Sequence, residues 1–368
     1  MILLLHNRYR VTGGEERAVA DLAWLIPREL GEPAERLERS SAGMGARSAA
    51  RGLLAGGLAP QEVAEAVRRT GARVVHAHNV HPTFGWRALA AARDAGARVV
   101  LHLHNYRLVC ANGVCFTQGE DCTRCHGRRT LPGVRLNCRG ASRAESAVYA
   151  AGIALQQERI GECVDAFVVP SAFALGRLRE LGAPVGDRAT VVPSVQRAFA
   201  ARSPAAAGRY VLYAGRLTEE KGPADAIAAC RAAGLPLVVA GDGPQGDELR
   251  ALGGDVRFTG AVDAAELAAL RAEAAVAVVP SRYEEILPLA ALEAMAAGLP
   301  VVATRSGGLA EVVEEAGLVP RSDVPALAER LTARFGDAAA GERALSRVRD
   351  LCAPAAVAER LRSVYAAA

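Results

Sequence analysis

Long apolar runs are what this chain of 368 residues most plainly lacks. No stretch approaches the roughly 20 apolar residues that a membrane-spanning helix needs, so no transmembrane segment is expected. The opening MILLLHNRYR has a short apolar run with its charges behind it, the wrong order for a secretory signal. It reads as the first buried strand of a cytoplasmic protein. Strong charge of either sign is missing too: 44 basic and 40 acidic residues leave +4, and Arg almost entirely replaces Lys. That balance carries no nucleic-acid footprint. No H-E-x-x-H occurs, which removes one histidine signature of zinc enzymes. Eight cysteines in a reducing compartment read as thiols or metal ligands rather than disulfides. The abundance of Ala, Gly and Arg looks like base-composition bias, so a single Ala or Arg carries little information.

What is present is a globular composition, 51% hydrophobic and 23% charged, in a chain long enough for two cores. One grammar repeats: a short apolar run, a Gly-rich or polar turn, then a helical pattern. The runs are ILLLH, RVVHAH, ARVVLHLHN, DAFVVPS and ATVVPS in the first half, and RYVLYAG, LPLVVAGDG, VRFTGAV, AVAVVPS, LPVVATRSGG and GLVP in the second. Wholly apolar strands alternating with helices imply parallel sheets covered on both faces. The pattern fails over Gly31–Gly57 and again over Tyr106–Arg143. QRAFAARSPAAAG reads as a linker. The expected division is a first domain over 1–196 with an insert at 106–143, a second over 197–352, and a helix over 353–368 that returns to the first. Such domains bind ligands at the C-terminal ends of their strands, facing a cleft.

The strongest candidate stretch is PSRYEEILPLAALEAMAAGLPVVATRSGG, Pro280 to Gly308. Pro288 suits a first helical turn, which puts Glu293 on the second turn and Glu285 in the loop before it. The amides of Leu287, Leu289 and Ala290 then form a helix N-terminus fit for a phosphate. A carboxylate further inside suits neutral hydroxyls, such as those of a ribose; the plainer alternative is an amphipathic helix with a solvated Glu. Arg216 and Lys221, just past the RYVLYAG strand, offer a planar fork and a point charge that together suit a diphosphate. As isolated residues they would be surface cations. Gly13 and Gly14 let backbone approach a ligand closely, or simply turn strand into helix. GDGPQG matches G-x-G-x-x-G, with Asp263 as ribose acid, but it follows the second strand of its domain and reads equally as a tight turn. Of the histidines, His104 comes at a strand's C-terminal end, beside Asn105, and could donate to a substrate hydroxyl. The others read as packed.

Cys110, Cys122, Cys125 and Cys138, with a C-x2-C knuckle, fit a tetrahedral structural zinc site, leaving Cys115 spare. The alternative is free thiols in a loop. Arg124, Arg128, Arg129, Arg135, Arg139 and Arg143 make the insert basic, a surface that could meet an anionic acceptor or a membrane.

Taken together, GGEE, HNYRLVCANG, AGRLTEEKG, GDGP, FTG, PSRYEEILPLAALEAMAAGLPVV and GG-x-x-E in this order resemble the retaining glycosyltransferases of family 4, over essentially the whole chain. The resemblance implies the GT-B architecture of two Rossmann-like domains. It implies transfer of a sugar from a nucleotide donor, most often a UDP-sugar, with retention and with no divalent metal at the diphosphate. By residue, it implies Arg216 and Lys221 on the diphosphate, Glu285 on the donor sugar, Glu293 on the ribose and His104 near the reacting centre. Gly13 and Gly14 cover the diphosphate, and Ile286, Leu287, Pro288 and Leu289 complete the donor loop. Ile286 departs from the usual Gly or Asn, and Ser194-Val195 from the usual Asn-Gly. The cysteine insert resembles a subgroup of exopolysaccharide and secondary-metabolite transferases. The expected acceptor is a hydroxyl of a glycan, lipid-linked or natural-product molecule. Two other readings are a nucleotide-sugar 2-epimerase and a non-catalytic, zinc-stabilised nucleotide-sugar binder.

Overall fold

The computed structural model describes residues 1–9, 13–140 and 142–366. Among the described residues the strands are β1 (Ile2–Arg8), β2 (Ala34–Ser40), β3 (Val74–His78), β4 (Arg98–His102), β5 (Phe116–Thr117), β6 (Glu120–Asp121), β7 (Ala166–Val169), β8 (Ala189–Val191), β9 (Tyr210–Ala214), β10 (Leu237–Ala240), β11 (Val256–Gly260), β12 (Ala274–Val279), β13 (Val301–Thr304) and β14 (Leu318–Val319). The α-helices are α1 (Gly14–Leu25), α2 (Ala46–Ala55), α3 (Gln61–Thr70), α4 (Gly85–Asp94), α5 (Leu131–Arg135), α6 (Arg143–Cys163), α7 (Ala172–Glu180), α8 (Pro223–Ala233), α9 (Gly246–Ala251), α10 (Ala264–Glu273), α11 (Leu289–Ala296), α12 (Leu309–Val312), α13 (Val324–Arg334), α14 (Ala338–Cys352) and α15 (Pro354–Ala366). They form two compact units: Met1–Thr117, Cys122–Val195 and Pro354–Ala368 in one, Gln118–Asp121 and Gln196–Ala353 in the other.

The first unit is a six-stranded parallel sheet in the order β2-β1-β3-β4-β7-β8. Its inner strands are almost wholly buried and mostly apolar, apart from histidines and the polar residues at some strand ends, as strands covered on both faces are. Ile2, Leu4, Val74, Val100 and Val168 share one buried cluster with Val357, Leu361, Val364 and Tyr365 of α15. That apolar stripe on α15 explains why the last helix packs with this sheet. The stretch Gly31–Gly57, which showed no clear pattern, contains β2 and α2. As the outermost strand, β2 (AERLERS) is covered only in part, so it carries charges where the inner strands carry Val and Leu. The Tyr106–Arg143 insert is not wholly a loop either: it holds the two-residue pair β5–β6 and the short α5.

The second unit is a parallel sheet ordered β11-β10-β9-β12-β13-β14. Counted within the unit, this is 3-2-1-4-5-6, the doubly wound order whose direction reverses between its first and fourth strands. That switch point lies between β9 and β12. The connections leaving the two strands part to opposite faces there, which opens a crevice at their C-terminal ends.

Candidate active site

The loops after β9 and β12 carry Arg216, Lys221 and Glu285, all at this switch point. Glu285 is 3% exposed. Its Oε1 accepts from Lys221 Nζ at 2.6 Å and Ser281 Oγ at 2.7 Å, and its Oε2 accepts from Tyr283 OH at 2.6 Å. Lys221 Nζ also reaches Tyr283 OH at 3.0 Å. Burial is the largest influence on this carboxyl and would raise its pKa. The Lys221 charge and the hydrogen bonds from Lys221, Tyr283 and Ser281 together outweigh burial and hold it below the usual carboxylate range. The structure therefore holds an ionised, buried Glu285 carboxylate paired with Lys221 in one network.

The surrounding loops fix that network. Arg282 donates to both oxygens of Asp225 on α8, at 2.8 and 2.5 Å, and its amide donates to Glu220 O at 2.9 Å. Thr304 Oγ1 donates to Ser281 O at 2.6 Å, and Gly308 N to Glu285 O at 2.7 Å. Gly307 lies at φ +54°, where a Cβ would stand 2.1 Å from Glu285 O. Only glycine lets the loop after β13 approach this closely. Arg216 is the more exposed cation, 3.1 Å from Glu220 and outside the Glu285 network. Lys221 is the only lysine in the chain. In a sequence that has replaced Lys by Arg everywhere else, that exception was a signal available from the start.

Pro288 is the N-cap residue of α11, Leu287 and Leu289 pack against the unit's core, and Ile286 is half-buried beside Glu285. Glu293, on the second turn, is ion-paired with Arg271 of α10, and both side chains are nearly buried. Ser281, Tyr283, Arg271 and Gly307 were not singled out by the sequence. Ser281 and Tyr283 bond Glu285 from within its own loop, Gly307 reaches it from the loop after β13, and Arg271 meets Glu293 between two helices. GDGPQG serves the same loops: Leu217 N donates to Asp242 O at 2.9 Å and Gln245 N to Leu217 O at 3.1 Å. Asp263 caps α10, accepting from the amides of Ala265 and Glu266. Both therefore have structural work that needs no dinucleotide.

In the first unit, Gly13 is the N-cap of α1 and Gly14 its first residue. The Glu16 carboxylate takes the Gly13 amide at 2.8 Å and the Tyr9 amide at 3.0 Å. Most of the preceding turn, 10–12, lies outside the described residues. Glu15 is buried and accepts from Tyr9 OH at 2.8 Å, and Asn105 Nδ2 donates to that same hydroxyl at 3.1 Å. Burial pushes the Glu15 carboxyl up to about 8. His104 follows β4, with Nε2 2.8 Å from His78 Nδ1 and its ring stacked on His102 at 4.0 Å. Burial holds its pKa down at about 3, so the imidazole is neutral. His76 meets Tyr365 OH at 2.7 Å.

Nitrogens of His76, His78 and His102 lie within 4.8 Å of one another, the one such group of three among the described residues. The rings are near parallel, 12–33° between planes, with centroids 4.6–5.4 Å apart. An imidazole lone pair lies in its ring plane, and an ion about 2.1 Å from each nitrogen would have to lie in all three planes. Planes this parallel and this far apart share no such point, so the stack is packed core.

Two doubly wound parallel sheets in one chain are the GT-B architecture. Residues 8–194 match the glycosyl transferase 4-like domain, and residues 208–337 match glycosyl transferases group 1. The first match alone covers more than half of the chain, and the chain belongs to the glycosyl transferase 4-like family. It is 39% identical over 199 residues to glycogen synthase of Mycobacterium tuberculosis, an alignment covering 49% of this chain and 47% of that protein. The chain thus spans about half the length of the curated relatives it matches first. Sucrose-phosphate synthase of Thermosynechococcus elongatus superposes with a TM-score of 0.71 at 21% identity, covering 99% of this chain and 98% of that one. Anabaena HepE, solved with UDP-glucose, gives 0.62 at 17% identity, covering 98% and 99%. No helix among the described residues is long and apolar enough to cross a membrane.

Proposed function

We propose that the chain is a retaining glycosyltransferase moving a sugar from a nucleotide donor, most simply a UDP-sugar, to an acceptor hydroxyl. The observation that carries this is the Lys221–Glu285 network at the switch point of the second sheet, within the loop that leads into α11. Arg216 and Lys221 take the diphosphate, helped by the α11 N-terminus. Glu285 has room at Oε2 for one more donor, which a sugar hydroxyl supplies. Glu293, steadied by Arg271, takes the ribose hydroxyls. His104 is neutral and offers a hydrogen bond rather than a charge. The first unit takes the acceptor: a glycan, lipid-linked or natural-product hydroxyl.

Bond making and breaking share one face of the sugar. The acceptor oxygen bonds to the anomeric carbon as that carbon's bond to the diphosphate breaks, and the acceptor proton passes to a diphosphate oxygen. The cations stabilise the charge left on the leaving group. The HepE complex with UDP-glucose supports a nucleotide-sugar reading by likeness of fold. The test is release of nucleoside diphosphate from a panel of nucleotide sugars, with the product anomer read by NMR. Release by wild type and its loss in Glu285→Gln support the assignment; binding of the nucleotide without turnover of any donor would point to a binder.

A further inference from the structure

Two features of the first unit lie outside the donor network. In the insert, Cys110, Cys115, Cys122, Cys125 and Cys138 line one small cavity, and among the described residues no three of their sulfurs lie within 4.8 Å of one another. In the loop after β4, by contrast, polar groups converge. Arg107 is half-buried there, and its guanidinium is held by packing rather than by partners. Its Cζ lies 4.7 Å from the centre of the Tyr9 ring. Gly113, at φ +83°, lets the arginine stem lie close, since a Cβ there would stand 2.7 Å from Arg107 Cγ. The Arg107 amide donates to Asn105 Oδ1 at 3.0 Å, and Asn105 Nδ2 donates in turn to Tyr9 OH at 3.1 Å. None of this uses an N–H of the guanidinium. Among the described residues the guanidinium makes no ion pair and no hydrogen bond, and its Nε is buried without a partner. The buried arginine of the second unit, Arg271, is instead paired with Glu293.

A cavity of about 30 Å³ adjoins Arg107, lined also by His81, His102, His104 and Asn105. That is room for about two water-sized atoms, enough for the oxygens of one acidic group and too little for a sugar ring. His81 and His102 are 7% and 5% exposed, and His81 Nδ1 and both His102 ring nitrogens lack partners. Burial keeps both imidazoles uncharged, so each has one N–H to give. Buried polar groups left unpaired are costly, and so call for a ligand or water. The nearby Glu15 carboxyl does not neutralise Arg107: it is turned to Tyr9 OH, and burial raises its pKa to about 8, which leaves it mostly protonated at neutral pH.

We propose that Arg107 and this cavity form an anion subsite for the acceptor, so that the acceptor carries a carboxylate or a phosphate besides the hydroxyl that receives the sugar. The inference rests on the transferase reading for the acceptor's role and adds the acceptor's charge. The Nε edge of a guanidinium presents two parallel N–H groups, which match two oxygens of either oxyanion. His81 or His102 supplies a further hydrogen bond from the cavity wall. A half-buried charge with no carboxylate partner favours an anion over a neutral hydroxyl.

The test is calorimetric titration of the full-length chain with glucuronate, glucose 1-phosphate and glucose, with no nucleotide sugar present. Wild type should bind an acidic probe at least about tenfold more tightly than glucose, and Arg107→Gln should lose that difference. Whichever of the two acidic probes binds better shows which oxyanion the subsite takes. Equal or undetectable binding of all three by wild type, as for a cavity that takes only water, would overturn the proposal. So would an acidic preference that survives in Arg107→Gln, or one lost in Lys221→Ala, which would put the anion at the donor network. Should Arg107→Gln fail to fold, the wild-type preference is measured again in saturating UDP: its persistence supports the subsite and its abolition overturns it. The two readings fail separately. Acidic preference through Arg107 without nucleoside diphosphate release from any donor sinks the transferase reading and leaves the anion subsite standing. Transfer to an acidic acceptor that is unchanged in Arg107→Gln sinks this inference alone.

Discussion

Truncating the chain's single lysine should do two separable things. In Lys221→Ala, Glu285 loses both its counter-ion and one of three hydrogen-bond donors while its side chain stays 5% exposed. Removing one partner of a buried ion pair costs about 3–5 kcal/mol. The lysine is 22% exposed, so water enters in its place and the lower end, about 3 kcal/mol, is expected. For a unit of this size that corresponds to a melting temperature lower by about 6–12 °C. The pH dependence should reverse as well. In wild type the folded-state pKa of Glu285 is depressed, so its contribution is present above the unfolded value and is lost as pH falls through the folded pKa. Without Lys221, burial dominates and the folded pKa rises above the unfolded one, so stability is greatest at low pH and declines as pH rises. Thermal melts of both proteins from pH 4 to 8 read this directly. A variant that melts within about 2 °C of wild type with the same pH profile would refute the buried-pair reasoning.

Three further outcomes follow from the same geometry. Gly307→Ala should destabilise the second unit and abolish transfer, since its Cβ would meet Glu285 O at 2.1 Å; calorimetry and activity of that variant check it. Glu15 has a folded pKa raised to about 8, so the folded state binds the extra proton and stability should fall as pH rises from about 5 through 8. Denaturant titrations should show this slope flattened in Glu15→Gln. Lys221→Arg should fold but lose transfer by about tenfold or more, because a planar guanidinium cannot replace a point charge shared between Glu285 and Tyr283; steady-state kinetics would show it.

Much of the fold was legible because parallel strands covered on both faces leave unbroken apolar runs. Every run named in the second half, from RYVLYAG to GLVP, supplies one strand of β9–β14. β2 was not, because an edge strand alternates charge with partial cover and shows no such run. The site divided in the same way. Glu285 and Lys221 carry charge at a strand's end, where spacing and resemblance find them. Tyr283 and Ser281 bond Glu285 from within its own loop once that loop is folded, Gly307 reaches it from the loop after β13, and Glu293–Arg271 joins two helices 22 positions apart. Gly13 and Gly14 read as a ligand loop or a strand-to-helix turn; Gly13 is the N-cap of α1, Gly14 its first residue, and the Gly13 amide donates to Glu16.

The most direct measurement is nucleoside diphosphate release from a UDP-sugar panel by wild type and by Glu285→Gln at neutral pH. Release by wild type and its near-complete loss in the folded variant are the expected result. Equal release by the two proteins would contradict the placement of the donor at the Lys221–Glu285 network.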